Sequence, residues 1–231
     1  MKIYAIGDLH LPGGQDKAMD IFGSHWENHW DKIKKNWLNI VEADDIVLIP
    51  GDISWAMHLE EALEDLEDIG NLPGKKIMIK GNHDYWWSSI SRIRNVLHDS
   101  IFAIQNDSLY LEPLSLAFCG TRGWTTPGGW DFSDHDEKIF SRELNRLKLS
   151  LDSAKDAKNI IVLLHYPPFD DKGQESKISH LIAQYPVQHV LFGHLHGDSF
   201  NRVFEGPFND IEYHLVSCDY LDFQPKFITE F

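Results

Sequence analysis

The segment IMIKGNHD, residues 77–84, is central to the interpretation of this sequence. Its first four residues are mostly apolar and suit a buried strand, and Gly81 permits a tight turn where that strand ends. Asn82, His83 and Asp84 then place an amide, an imidazole and a carboxylate at the carboxyl end of the strand. Ligands of open α/β sheets bind at this edge. Taken alone, the segment is equally compatible with a solvated loop, so the interpretation depends on whether the pattern recurs.

The chain has 231 residues and is acidic, with a formal net charge of −15 at pH 7. This length suits one domain or at most two, and we expect a single domain over residues 1–231. Hydrophobic residues at 42% and charged residues at 25% are typical of a soluble globular protein. The acidic charge disfavours nonspecific nucleic-acid binding, because neutralising a polyanion requires basic side chains.

The first residues enter a strand-like run directly, without the pattern of a signal peptide. The sequence also has no apolar stretch of about 18 residues that would suggest a membrane span. We therefore expect a cytoplasmic protein with no membrane partner. Cys119 and Cys218 each adjoin an apolar run, which favours two buried free thiols and leaves a disulfide open.

Strand-like and helical patterns alternate along the chain, which predicts an α/β fold. The expected strands are residues 3–6, 46–49, 77–80, 101–104, 108–112, 114–119, 159–164, 190–192, 211–216 and 226–231. The expected helices are residues 31–41, 59–69, 88–97, 133–154 and 175–184. Residues 16–30 fit either a helix or an ordered loop.

Five of the apolar runs end in the same kind of polar residue. The endings are Asp8 and His10, then Asp52, then Asn82 and His83, then His165, and finally His194 and His196. A lone histidine at a strand end is more often a structural residue than a ligand. Five such endings are hard to explain as coincidence, because the carboxyl ends of parallel strands share one edge of a sheet.

Imidazoles, carboxylates and one amide, with no thiolate, favour metals such as Mn, Fe, Zn or Co. Seven candidate ligands exceed what one ion needs, so we expect two ions, bound by Asp8, His10, Asp52, Asn82, His165, His194 and His196. Two dications about 3.5 to 4 Å apart repel by roughly 18 kcal/mol at an effective dielectric constant near 20. A shared anion is therefore needed between them, and Asp52 is the candidate. The cluster would keep a net positive charge, which suits a phosphate.

These motifs resemble the signature blocks of the calcineurin-like metallophosphoesterase superfamily. The resemblance spans residues 8–196, and the blocks are, in order, Gly7-Asp8-Leu9-His10, Gly51-Asp52, Gly81-Asn82-His83-Asp84, His165 and Gly193-His194-Leu195-His196. It implies a two-sheet β-sandwich flanked by helices, in four αββα layers. It also implies two transition-metal ions such as Mn, Fe or Zn, divalent or trivalent, in two ligand sets: Asp8, His10, Asp52 and His196; and Asp52, Asn82, His165 and His194. His83 would be the non-ligand catalytic imidazole, with Asp84 orienting a neighbouring group.

One departure from the family pattern bears on the substrate. Protein Ser/Thr phosphatases of the superfamily continue the second block with Asp-Arg-Gly, whereas here it continues as Ile53-Ser54-Trp55-Ala56. The sequence is therefore more similar to the bacterial phosphodiesterase and small phosphohydrolase branches. Arg122, in a glycine-rich segment, is the candidate contact to the substrate anion, with an ordinary surface arginine as the alternative.

The expected activity is hydrolysis of a small phosphodiester or phosphomonoester. A hydroxide bridging the two metals would attack in line, and His83 would protonate the leaving oxygen. The alternatives are a non-catalytic metal-binding scaffold and a DNA nuclease, which the net charge disfavours. A nucleotide is one candidate substrate, because a base could stack on one or two tryptophans near the motifs while the others pack in the core; these are Trp55, Trp86, Trp87, Trp124 and Trp130. The sequence leaves the oligomeric state open.

Overall fold

A computed structural model describes residues 1–15, 17, 19–128 and 132–231. Trp130, one of the tryptophans considered for base stacking, lies outside the described residues. The strands are β1 Lys2–Ala5, β2 Ile46–Ile49, β3 Lys75–Met78, β4 Ile101–Ala103, β5 Ser108–Leu111, β6 Leu116–Thr121, β7 Asn159–Leu164, β8 Val187–Phe192, β9 Gly206–Phe208, β10 Ile211–Leu215 and β11 Lys226–Glu230. The α-helices are α1 His29–Ile40, α2 Leu59–Gly70, α3 Ile90–Arg94, α4 Asp134–Ser153 and α5 Lys177–Ile182.

The strands form two mixed sheets. The first has the order β11-β1-β2-β3-β4, in which β1 to β4 are parallel and β11 is antiparallel to β1. The second has the order β5-β6-β7-β8-β10-β9, in which β6, β7, β8 and β10 are parallel. Its edge strands β5 and β9 are antiparallel to their neighbours. The parallel strands of each sheet therefore present their carboxyl ends at one edge.

The two sheets pack face to face and helices cover their outer faces. Strand β7 is continuously apolar because both of its faces are buried. Ile161 and Leu163 point into the core between the sheets, whereas Ile160, Val162 and Leu164 pack toward α4 and α5. A strand buried on both faces loses the alternation of a half-exposed one. Helices α1 and α2 cover the first sheet through side chains such as Ile33, Trp37, Leu59, Ala62, Leu66 and Ile69. The expected helix-flanked two-sheet sandwich is confirmed.

Side-chain hydrogen bonds fix the ends of α2 and the start of α4. The carboxylate of Glu61 accepts a hydrogen bond from the backbone N–H of Met57 at 2.9 Å, before the first turn of α2. Ser133 precedes α4 and forms a reciprocal capping box with Asp136. Beyond the end of α2, the buried ammonium of Lys76 on β3 donates to three backbone carbonyl oxygens, those of Gly70, Leu72 and Gly74. This contact ties the helix end to the sheet.

The element boundaries differ from expectation in a few places. Where residues 16–30 fit either a helix or a loop, the described residues form two short 3₁₀ helices, Met19–Phe22 and Ser24–Trp26, and α1 already begins at His29. Strand β8 starts three residues earlier than its apolar run, because Gln188 and His189 are polar residues on a strand with partly open faces. Strand β9 contains Pro207 and lies at a sheet edge, the position where proline is tolerated. Both cysteines are buried and free. No described helix has the length and apolar character needed to cross a membrane.

Candidate metal centre

The candidate ligands lie where five strands end, and they come from both sheets. Asp8 and His10 follow β1, Asp52 follows β2, and Asn82 follows β3, all in the first sheet. His165 follows β7, and His194 and His196 follow β8, in the second sheet. The loops after β1 and β2 remain paired beyond the sheet, because the N–H of Asp8 donates to the carbonyl of Gly51 and that of His10 to the carbonyl of Asp52, both at 3.0 Å.

Four of these residues have left-handed backbone conformations. The φ angles are 56° at Asp8, 46° at His10, 51° at Asp52 and 72° at His194. Such values are uncommon for residues other than glycine, cost of order 1–3 kcal/mol each, and cluster at functional sites. Sequence patterns do not reveal them. Their effect here is that side chains from separate loops converge on one point.

Asn82 lies at the centre of one group of ligands. Its Oδ1 atom is 2.6 Å from Nε2 of His165 and 2.9 Å from Nδ1 of His194. Nε2 of His165 is also 3.5 Å from Oδ1 of Asp52. The four side chains of the second expected ligand set, Asp52, Asn82, His165 and His194, are therefore together.

The second group surrounds Asp8. Its Oδ1 atom is 3.7 Å from Nε2 of His196, and Asp8, His10 and His196 offer atoms that lie within 4.8 Å of one another. Asp52 extends toward both groups, since its Oδ2 is 3.8 Å from Nε2 of His10 and its Oδ1 faces His165. Asp8 also lies close to the other ligand group, because Asp8, Asp52 and His165 offer atoms that lie within 4.8 Å of one another. Two buried carboxylates thus face each other across the centre.

The glycines of the motifs are required by close packing. A Cβ atom on Gly81 would collide with the carboxylate and backbone of Asp52, and one on Gly193 would collide with the carboxylate of Asp8. Gly51, at a φ of 92°, packs against the backbone of Gly81. The glycines before Asp52, Asn82 and His194 therefore let the neighbouring loops approach closely enough for the ligands to meet.

The electrostatics of the centre favour a bound cation. Burial opposes ionisation of Asp8, but contacts with His196, His165 and His10 hold its pKa below its usual range. Burial and the nearby carboxylates of Asp84 and Asp8 raise the pKa of Asp52 well above its usual range. Within the described residues, the ion-pair contacts of both Asp8 and Asp52 come from histidines alone. A cation would relieve the cost of placing these carboxylates together.

His165 provides a more specific test of whether the residues fit a metal. Its Nδ1–H donates to the backbone carbonyl of Pro50 at 3.0 Å, which leaves a lone pair on Nε2. Burial lowers the pKa of His165 to about 4, which favours the neutral imidazole that binds metals. That lone pair faces the Oδ1 lone pairs of Asn82 at 2.6 Å. A cation at this point would bind both atoms, and imidazole nitrogen with carboxamide and carboxylate oxygen is a suitable donor set for transition metals.

Asp219 is a site residue that the sequence patterns missed. Its Oδ1 atom accepts a hydrogen bond from Nδ1 of His196 at 2.8 Å, which directs Nε2 of that ring toward Asp8. Burial alone would lower the pKa of His196, but the hydrogen bonds to Asp219 and Asp8 raise it to about 10. Carboxylates that orient ligand histidines in this way are common at metal sites. Asp219 follows β10, whose ending resembles no signature block.

Asp84 organises the loops rather than facing the centre. It is fully buried and accepts hydrogen bonds from the backbone N–H groups of Ile53, Ser54 and Gly81, at 2.8, 3.2 and 2.7 Å. The indole N–H of Trp86 donates to it at 3.0 Å. One carboxylate therefore joins the loop that carries Asp52 to the loop that carries Asn82, which is the orienting role expected for it.

His83 lies beside the ligands without joining either group. Its backbone N–H donates to Oδ1 of Asp52 at 2.8 Å, and its ring centroid is 5.8 Å from that of His10. Its Nδ1 atom is buried without a hydrogen-bond partner among the described residues. Burial lowers the pKa of His83, with an opposing effect from Asp8. The ring lines a cavity of about 360 Å³ that also exposes His10, Asp52, His194 and His196.

Arg122 is placed apart from that cavity. Its Nη2 atom is 3.6 Å from Oε1 of the buried Glu143 on α4, and its guanidinium lies 4.6 Å from the ring centroid of Trp124. It lines a separate cavity with Lys80 and Arg146. The structure does not bring Arg122 among the ligands, and its contact with a substrate anion stays a prediction.

Comparisons with known proteins agree with this geometry. The family model for calcineurin-like phosphoesterases matches residues 1–198. No curated protein matches the chain. A phosphopantetheinyl hydrolase from Mycobacterium tuberculosis has a similar fold, with a TM-score of 0.58, 11% sequence identity, and coverage of 100% of this chain and 96% of that chain. A protein of unknown function from Aquifex aeolicus gives a TM-score of 0.49, 16% identity, and coverage of 98% and 95%.

At 11% identity the Mycobacterium tuberculosis structure bears on the fold alone. The family model is different evidence, because it covers most of the chain and includes every motif that supplies a candidate ligand. The chain belongs to the calcineurin-like phosphoesterase family.

Proposed function

We propose that this protein hydrolyses a small phosphodiester or phosphomonoester with the help of two transition-metal ions, such as Mn, Fe or Zn. The observation that carries the proposal is the convergence of imidazole, carboxamide and carboxylate atoms at the centre, where Nε2 of His165 lies 2.6 Å from Oδ1 of Asn82 and 3.5 Å from Oδ1 of Asp52. A cation would bind both of these atoms, and the buried carboxylates of Asp8 and Asp52 lie beside them. One ion would be held by Asp8, His10, Asp52 and His196, and the other by Asp52, Asn82, His165 and His194.

The surrounding residues keep these ligands in position. Asp219 fixes the ring of His196, Pro50 fixes the tautomer of His165, and Asp84 holds the loops of Asp52 and Asn82 together. A bound pair of ions would supply an activated water and would neutralise charge on the phosphoryl oxygens. The protein itself would contribute ligand atoms that are already held in the required positions beside the cavity.

His83 is the proposed proton donor. It lines the same cavity as four of the ligands, and its backbone bond to Asp52 fixes its distance from them. In this role the imidazole gives a proton to the oxygen of the departing alcohol, which general acids accelerate by about 10² to 10⁴. The buried, unpartnered Nδ1 atom indicates that the ring is held by packing against Trp55, with centroids 4.6 Å apart.

The direct test compares Mn²⁺-loaded protein with chelated protein on bis(p-nitrophenyl) phosphate and p-nitrophenyl phosphate. We expect turnover only in the loaded sample, and at least a hundredfold less in an Asp52→Asn variant. An exposed control variant, Asp44→Asn, should match the wild type. Equal activity in loaded and chelated samples would contradict the metal requirement.

The same preparation separates the alternatives. A non-catalytic scaffold would bind Mn²⁺ in elemental analysis and turn over neither ester. A DNA nuclease would nick supercoiled plasmid in the presence of Mn²⁺. We expect ester turnover without plasmid nicking, because the acidic chain offers little to attract a polyanion.

A further inference from the structure

The cavity beside the candidate metal centre has two different walls. One wall consists of site residues, including His83, His194 and His196. A second wall is largely apolar and is formed by Met19, Phe22, Trp26 and Trp55, and His25 also lines the cavity. The cavity has a volume of about 360 Å³, so it has room for more than a phosphate group. Whatever is attached to a phosphate bound at the centre would therefore meet this apolar wall.

Phe22 is the solvent-exposed residue of this apolar wall. Met19 and Trp26 are only 7% and 3% exposed and belong to the core beneath, whereas Phe22 is 60% exposed although it lines a concave surface. A phenyl ring in this position gains free energy when an apolar group removes it from water. The neighbouring Ile21 is 78% exposed, belongs to the same 3₁₀ helix and does not line the cavity.

Among the described residues, the tryptophans near the motifs offer little surface for stacking a nucleobase. The ring of Trp55 stacks on His10, with centroids 4.8 Å apart, and the ammonium of Lys17 lies 4.5 Å from the same ring. Trp86 and Trp87 are buried in the core, at 2% and 6% exposure. Trp124 packs against Tyr166 and Arg122. A flexible aliphatic chain of the substrate could lie along Phe22 and Met19, and it therefore fits this wall better than a planar base does.

We propose that this cavity receives an aliphatic group carried by the phosphoester substrate, and that Phe22 determines the preference for it. The inference rests on the proposed function, since the phosphoryl group must be anchored by the metal centre for the chain to reach the wall. It narrows the substrate class to phosphoesters of apolar alcohols.

The test uses ligands with one phosphoryl group and one chain, so that binding is measured without turnover. Methyl-, butyl- and octylphosphonate are titrated into Mn²⁺-loaded protein by calorimetry. Burial of each methylene strengthens binding by up to about fourfold, and we expect octylphosphonate to bind at least tenfold more tightly than methylphosphonate. A dissociation constant independent of chain length would overturn the inference.

Two adjacent variants identify the residue responsible. Phe22→Ser should leave methylphosphonate binding unchanged and remove most of the dependence on chain length. Ile21→Ser is the matched control, because it removes a comparable exposed apolar side chain from the same short helix, and it should behave as the wild type. Equal losses in both variants would indicate nonspecific surface contact and would overturn the assignment to this cavity.

Hydrolysis of the p-nitrophenyl esters, measured on the same samples, keeps this inference separate from the proposed function. Active enzyme without a chain-length effect overturns the aliphatic pocket alone. A clear chain-length effect in protein that turns over no ester supports the pocket and overturns the hydrolase.

Discussion

Individual side chains at this site have two kinds of role. Some face the metal centre, and others hold the loops and ligands around it in position. Asp84 receives four N–H groups from two loops, and Asp219 orients one histidine. The sequence motif includes Asp84, but it does not reveal that the hydrogen-bond partners of this carboxylate are backbone groups. Asp219 lies outside every block and becomes visible only when β10 is seen next to β8.

Replacing Asp84 with asparagine should destabilise the protein. The substitution puts an NH₂ group where one oxygen now accepts backbone N–H bonds, and hydrogen bonds to charged groups contribute about 1.5–3 kcal/mol each. We expect the free energy of unfolding of Asp84→Asn to fall by about 2–4 kcal/mol, measured by urea denaturation of metal-free protein. Asp44→Asn, on the exposed surface, should change it little; an equal change in both variants would argue against the connecting role.

The effect of removing His83 should depend on the leaving group. An alkoxide leaves only when protonated, whereas p-nitrophenolate leaves readily without a proton. His83→Ala should therefore lower kcat for butyl phosphate or dibutyl phosphate by about 10² to 10⁴, and lower kcat for the p-nitrophenyl esters much less. His180→Ala, exposed on α5, serves as the control. The same fold loss with both kinds of ester would mean that His83 is not the proton donor.

The sequence predicts the strands well, and it also predicts the residues at which they end. Because β1, β2, β3, β7 and the second half of β8 are buried on both faces, each appears as an apolar run with a definite end, and the polar residue at that end is easy to locate. Short elements are harder, since α3 has five residues and the 3₁₀ helix with Phe22 has four. Left-handed φ angles at Asp8 and His194 arise from tertiary pairing, which local patterns do not encode.

The pairing of β8 with β10 should make the metal-free protein sensitive to acid. Nδ1 of His189 lies 3.2 Å from Nε2 of His214, and burial, followed by Lys226 and His189, lowers the pKa of His214 to about 4. Between pH 6.5 and about 4 the unfolded chain binds a proton there that the folded chain does not. Stability therefore falls as the pH falls through this range, by up to about 1.4 kcal/mol per pH unit for one proton.

A His214→Asn variant should lose less stability on acidification than the wild type. The measurement is the free energy of unfolding at pH 7, 5.5 and 4.5, with chelator present. His135→Asn, on the exposed face of α4, should keep the wild-type slope. Identical slopes in all three proteins would show that His214 takes up its proton equally in both states.

At the scale of the whole molecule, the candidate centre lies across the two sheets. Asp8, Asp52 and Asn82 come from the first sheet, and His165, His194 and His196 from the second. The core between the sheets joins them at this edge, together with hydrogen bonds such as that from the His194 N–H to Asp8, at 3.1 Å. A metal bound by ligands from both sheets would therefore stabilise the entire fold and not one loop.

Thermal unfolding should show this coupling. A ligand that binds only the folded state stabilises it by about 2.7 kcal/mol at a free concentration 100 times its Kd. For a chain of this length, each kcal/mol raises Tm by roughly 2–4 °C, so saturating Mn²⁺ should raise Tm by roughly 5–10 °C over chelated protein. The Asp52→Asn variant should lose most of this shift, whereas Asp44→Asn should keep it. Because unfolding separates ligands of the two sheets, the shift should appear in one cooperative transition; a Tm unaffected by Mn²⁺ in the wild type would contradict a metal centre at this edge.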